Sequence, residues 1–209
     1  HDEAMLAGLD ERLAALEPGR RARGVVLVLH QMGSHGPAYA RRTPPDFKPF
    51  GPGCRSQTLT DCSADGLRDA YDNTIAYTDR FLGRTLDWLA ARQPGFDTGL
   101  LYVSDHGESL GENGLYLHGV PYALAPGQQT HVPMVMWLSR GLQRRLGASP
   151  TCLRTRAAQP VSHDHIFHSV LGLLDVETAV HEPALDLLSG CRGARTGIMA
   201  AIPAPLPPS

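Results

Sequence analysis

The residues best equipped for chemistry lie where an apolar run ends in charge: Leu100 to Val103 leads directly into Ser104-Asp105-His106-Gly107-Glu108. A hard carboxylate oxygen beside a neutral imidazole nitrogen is a donor pair that suits zinc. Where regular strand alternation stops, adjacent side chains can turn toward one ion, and Gly107 permits the backbone turn this needs. Asp105 and His106 are therefore the candidate metal ligands. Another reading of the same residues has Asp105 capping a helix while His106 packs as a neutral ring.

Further histidines sit in matching positions. The apolar run Gly24 to Leu29 ends in His30-Gln31-Met32-Gly33-Ser34-His35-Gly36, and His118 follows in Tyr116-Leu117-His118-Gly119. If the two runs are neighbouring parallel strands, their loops meet at one rim, where open α/β sheets bind ligands. A lone histidine is usually a structural residue; several glycine-flanked loop histidines at converging strand ends point to ligation.

These loops need elements to hold them. Met5, Leu6, Leu9, Leu13 and Leu16 recur at helical spacing and predict a helix over 2–16, ended by Pro18-Gly19. The Val-rich run 24–29 predicts a strand covered on both faces. A long loop follows over 37–65, then a helix over 67–89 with Tyr71, Ile75, Thr78, Leu82, Leu86 and Leu89 on one face. Strands over 98–103 and 132–138 and a helix over 166–174 complete the order. Alternation of this kind predicts an α/β fold with a largely parallel sheet flanked by helices. The Pro-rich tail from Ile202 cannot hold helix or ladder.

Composition sets limits. The 209 residues carry a formal net charge of -2, and the basic stretches 20–23 and 140–145 lack interleaved aromatics, so no nucleic-acid partner is expected. No apolar run reaches the ~20 residues that cross a bilayer. The chain opens on His1 with an acidic stretch unlike a signal peptide, and it reads as the later part of a longer protein, the N-terminal part of the fold missing. Four cysteines form no zinc-finger spacing; Cys54 and Cys62 either close a short loop as a disulfide or stand as free thiols.

The segments HQMGSHGPAY (30–39), AYDNTIAYTDRFLGRTLDWL (70–89), LLYVSDHGESLGENGLYLHGVPYALAP (100–126) and QTHVPMVMWLS (129–139) closely resemble the phosphoethanolamine transferases that modify lipid A, within the alkaline phosphatase and sulfatase superfamily. The resemblance implies that residues 1–180 are the C-terminal portion of a sulfatase-like periplasmic catalytic domain, with 181–209 a poorly matched, disordered tail. It implies a Zn2+ site holding Asp105 and His106, completed by a glutamate and a threonine nucleophile upstream of this chain. His35 and His118 would bind the phosphoethanolamine group or a second metal, with Glu108 supporting them and His30 farther out. Cys54 and Cys62 would form a family disulfide; Cys152 and Cys191 have no secure counterpart.

The implied reaction moves phosphoethanolamine from phosphatidylethanolamine to lipid A through the threonine, at the periplasmic face of the bacterial inner membrane. Lipid A would lose negative charge and attract polymyxin-type peptides less. The implied partners are those two lipids and the missing N-terminal transmembrane and catalytic segments, without which the chain is expected to be inactive. Two other readings stand beside this one: a sulfatase or phosphatase of the same superfamily, and a truncated non-catalytic remnant. Either way, an incomplete sheet is expected to expose apolar faces.

Overall fold

The computed structural model describes residues 1–193; the Pro-rich stretch from Ile202 lies outside them. Two compact units divide the chain, one over 1–139 and one from 140 onward.

In the first unit, the helix expected over 2–16 is broken into a 3-10 turn, Asp2–Leu6, and a short helix α1, Leu9–Ala14, before α2, Pro18–Arg21. Gly8 sits at φ 70, a left-handed conformation that interrupts the helix. The dominant element is α3, Ala64–Ala90, 27 residues opened by Ser63, whose hydroxyl accepts from the Gly66 N–H. Its buried residues, Leu67, Ala70, Asn73, Thr74, Tyr77, Phe81 and Thr85, recur every three or four positions and form one stripe. Glu3 accepts from Tyr77 at 3.0 Å and Arg84 at 2.7 Å, docking the first turn on this helix.

The N-terminal half of α3 is the wall on which the site loops rest. Tyr39, Leu59, Leu67 and Ala70 form a buried cluster, with Tyr71, Leu110, Tyr116 and Leu117 packed against it. Buried Asn73 pins the long loop by accepting from the Phe50 N–H and donating to the Gly51 carbonyl. The Cys54–Cys62 disulfide closes that loop, and the Cys54 N–H bonds the Gly66 carbonyl on α3.

Strand β1, Gly99–Val103, is followed by a small hairpin of β2, Ser109–Leu110, and β3, Tyr116–Leu117. A short turn of helix, α4, Gly127–Thr130, leads to β4, Met134–Leu138, which pairs antiparallel with β1 from Gly99 opposite Leu138 to Val103 opposite Met134. The largely parallel sheet expected from the sequence is therefore not what the described residues form; both sheets are antiparallel pairs. The run 24–29 is not assigned as a strand and leaves Val26 and Val28 exposed, Val28 at 85%. A β-branched run becomes a strand only beside an edge that completes its ladder, and it meets none among the described residues.

The second unit holds α5, Arg140–Leu146, α6, Pro150–Arg156, and α7, Asp164–Leu173. Residues 181–193, expected to be part of a disordered tail, are instead packed: Leu188 is fully buried and Cys191 is bonded to Cys152. The Glu182 N–H bonds His168 and the Leu187 N–H bonds Ser169, fastening this segment to α7. Buried Asp186 accepts from the Leu188 N–H and lies 3.3 Å from His181 and 3.6 Å from Arg192. The sequence reading missed this because the holding groups are a distant disulfide and a buried carboxylate, neither of which has a periodic pattern.

Candidate metal centre

The site is built from two loops that Glu108 joins. Leaving β1, the Ser104 hydroxyl donates to the His106 carbonyl at 2.7 Å, and the Gly107 N–H bonds the Gln129 carbonyl. A Cβ on Gly107 would lie 1.9 Å from the Gln128 carbonyl oxygen, so only glycine allows this crossing. On the other loop, Arg42 Nε donates to the His35 carbonyl at 2.7 Å. A Cβ on Gly36 would meet Leu117 at 2.4 Å and Tyr39 at 2.7 Å, so the two loops are in direct contact there.

His35, His106 and His118 converge, with one ligand nitrogen from each lying within 4.8 Å of the others. The ring centroids of His106 and His118 stack at 3.8 Å, and His35 meets them edge-on at 5.6 and 4.8 Å. Their tautomers follow from their partners. His35 Nδ1 lies 2.7 Å from the Gly36 carbonyl and His106 Nδ1 lies 2.9 Å from the Gly107 carbonyl. A carbonyl only accepts, so both Nδ1 atoms carry the proton. His118 Nδ1 faces Glu108 at 3.2 Å with the same consequence. All three Nε2 atoms are left as lone-pair donors, with the outer hydrogen bonds that orient metal-ligating histidines. Leu117, at φ 64, adopts a strained left-handed conformation that packs its own side chain in the core just before His118.

Asp105 is placed differently from the three histidines. Its side chain is 83% exposed, and its Oδ2 lies 3.9 Å from His106 Nε2. Two ligands on one tetrahedral zinc are about 3.3 Å apart, so a small rotation brings this pair into range. His106 is thus within reach of two sets of donors, Asp105 and the two other histidines. No helix follows Asp105, so it is not a helix cap. His30 is exposed and outside the cluster.

Glu108 is 6% exposed and accepts from three partners: the Gly36 N–H at 3.1 Å, the Tyr39 hydroxyl at 2.8 Å and His118 Nδ1. Burial and then the Glu108 carboxylate push the Tyr39 phenol far above its ordinary value, so it remains a donor. Burial and then the charge of Asp105 also raise Tyr102. Sequence reasoning missed Tyr39 and Arg42 as parts of the site. Tyr39 lay inside a recognised segment, but no spacing rule links it to a carboxylate 69 residues away.

The sulfatase family profile matches residues 1–176. The chain belongs to the sulfatase family. Within it, the chain is 44% identical over 193 residues to "Phosphoethanolamine transferase EptA" of Salmonella typhimurium, covering 92% of this chain and 34% of that one. It is 41% identical over 175 residues to "Phosphatidylethanolamine transferase Mcr-1" of Escherichia coli, covering 84% and 30%. The soluble domain of lipooligosaccharide phosphoethanolamine transferase A from Neisseria meningitidis superimposes with a TM-score of 0.85 at 40% identity, covering 92% of this chain and 57% of that one. This sulfatase-family chain spans about a third of the length of such relatives, 34% for the Salmonella protein. The sulfatase-like fold expected from the sequence is thereby established, with the described strands paired as above.

Proposed function

We propose that this chain supplies the metal- and phosphate-binding part of a zinc-dependent enzyme that transfers phosphoethanolamine from phosphatidylethanolamine to lipid A. The observation that carries the reading is the convergence of three histidines whose Nδ1 atoms are all tied back by oxygen acceptors. The relatives' names support the chemistry: beside the EptA and Mcr proteins, "Kdo(2)-lipid A phosphoethanolamine 7''-transferase" of Escherichia coli is 30% identical over 153 residues.

His106 with Asp105 would hold the zinc, whose bound charge would polarise a phosphoryl oxygen and the attacking hydroxyl. The neutral Nε2 lone pairs and the exposed carboxylate fit that ion. His35 and His118 would line the phosphoethanolamine position or hold a second metal through Nε2, with Glu108 holding the His118 ring in place. The threonine nucleophile would come from outside these 209 residues, so the chain alone would be inactive. We place the site at the periplasmic face of the inner membrane, a reading supported by the 39% identity to the C-terminal periplasmic domain of phosphoethanolamine transferase EptC from Campylobacter jejuni. No helix among the described residues is long and apolar enough to cross a membrane. Modified lipid A would bind polymyxin-type peptides less tightly.

The test is a chimera in which residues 1–176 replace the matching segment of Escherichia coli EptA. Lipid A from cells expressing it should carry added phosphoethanolamine by mass spectrometry, and His106→Ala should remove it. Unmodified lipid A from a chimera present at normal levels would overturn the proposal.

A further inference from the structure

The loop that carries His35 is held at both ends by a carboxylate. After His35, Glu108 accepts from the Gly36 N–H. Before it, Asp2 accepts from the Met32 N–H at 3.2 Å and from the Gly33 N–H at 2.8 Å. Gly33 is left-handed, at φ 54, and two successive N–H groups converge on one carboxylate, the concave arrangement that holds anions. The turn then runs into His35, whose N–H bonds the Met32 carbonyl at 3.3 Å.

Asp2 is itself anchored. It opens the 3-10 turn Asp2–Leu6, and the next residue, Glu3, is fastened to α3 by Tyr77 at 3.0 Å, Arg84 at 2.7 Å and Arg80 at 3.2 Å. Of two consecutive carboxylates, Glu3 grips the long helix and Asp2 grips the site loop. All of these contacts join residues within 1–139.

We infer that Asp2 is a positioning residue: it fixes the entry of the 32–36 loop and thereby the place of the His35 ring beside His118 and His106. Arg42 on the His35 carbonyl and the Gly36 carbonyl on Nδ1 fix His35 from the chain that follows it. Asp2 fixes the chain that precedes it. Without the carboxylate, Gly33 has no side chain to keep it left-handed, and a rotation there is carried to a ring whose centroid lies 4.8 Å from that of His118. Groups that orient a binding histidine from behind typically cost about 10–100-fold in binding or activity when removed. The positional claim stands on these contacts, while its consequence for phosphoethanolamine transfer rests on the function proposed for the site.

The experiment is NMR of the full metal-free chain, reading the nuclear Overhauser cross-peak between the His35 and His118 rings. Four chains are compared: wild type, Asp2→Ala, Asp2→Asn and Leu138→Val. Leu138 is buried opposite Gly99, at the end of the β1–β4 pair away from the 104–108 loop, so Leu138→Val loosens the unit without touching the site. In Asp2→Ala the ring should shift by about 1 Å, which weakens the cross-peak about threefold by the inverse sixth power of distance. Exchange of the Gly33 amide should rise about tenfold in the same variant. Asp2→Asn keeps an oxygen that can accept from Gly33 and should retain more than about half of the cross-peak. Leu138→Val should leave the cross-peak at its wild-type intensity even where its urea midpoint falls as far as that of Asp2→Ala. An unchanged cross-peak in Asp2→Ala, or equal loss in Asp2→Ala and Leu138→Val, overturns the inference. In the purified chimera with Escherichia coli EptA, Asp2→Ala should slow transfer about 10–100-fold, and transfer at the wild-type rate would overturn the inference as well. A wild-type chimera that transfers nothing sinks the proposed function instead, and the ring measurement then decides this inference by itself.

Discussion

Glu108→Ala is expected to destabilise residues 1–139 by about 3–5 kcal/mol. The Tyr39 hydroxyl would lose a charged acceptor, worth about 1.5–3 kcal/mol, and the buried Gly36 N–H would be left unpaired at about 1–3 kcal/mol. Glu108→Gln keeps one oxygen acceptor but turns an NH2 toward the remaining donor, and should cost about 1–2 kcal/mol. Urea unfolding followed by tryptophan fluorescence isolates the relevant unit, because Trp88 and Trp137 both lie within it. With a slope of about 2 kcal/mol per M, the alanine midpoint should fall by about 1.5–2.5 M and the glutamine midpoint by about 0.5–1 M. An alanine shift below about 0.5 M, or equal shifts for the two variants, would refute the claim that Glu108 is the buried hub joining the loops.

Gly107→Ala should abolish metal binding, because its Cβ would lie 1.9 Å from the Gln128 carbonyl and the 104–108 loop must move; titration with zinc checks this. Burial raises the Glu3 carboxyl, but hydrogen bonds from Arg84 and Tyr77 and the charge of Arg80 together hold it below its ordinary 4.5. Its stabilisation is therefore present above about pH 4.5 and lost as pH falls through the depressed value. Glu3→Gln should flatten the acid limb of a thermal-stability profile measured between pH 3 and 6. Loop-closure entropy assigns about 2.5 kcal/mol to Cys54–Cys62, separated by 8 residues, and about 4 kcal/mol to Cys152–Cys191, separated by 39. Hydrogen exchange after reduction should accordingly rise more in residues 150–193 than in 50–70.

The convergence of the candidate site was legible because its donors stand out by residue type and by their place at the end of an apolar run. His35, His106 and His118 each precede a glycine that lets the chain turn, and the structure brings these three histidines together. The stripe on α3 was legible as well, since burial every three or four residues leaves a periodic trace. What was not legible is pairing. The 24–29 run has the composition of a strand, but composition does not say which edge completes it, and β1 pairs antiparallel with β4 instead. The roles of Glu108 and Tyr39 were also hidden, or visible only in part, because a hydrogen bond across 69 residues leaves no local signature. Helix 2–16 failed at Gly8, where one backbone angle outweighs five apolar residues in register.

The most direct test of the account is the zinc content of the purified chain by elemental mass spectrometry, for wild type, His106→Ala and His30→Ala. About one zinc per chain in wild type and His30→Ala, with loss in His106→Ala, is the predicted result, because His106 is the residue both sets of donors share. A folded wild-type chain without zinc, or equal zinc in His106→Ala, would contradict it.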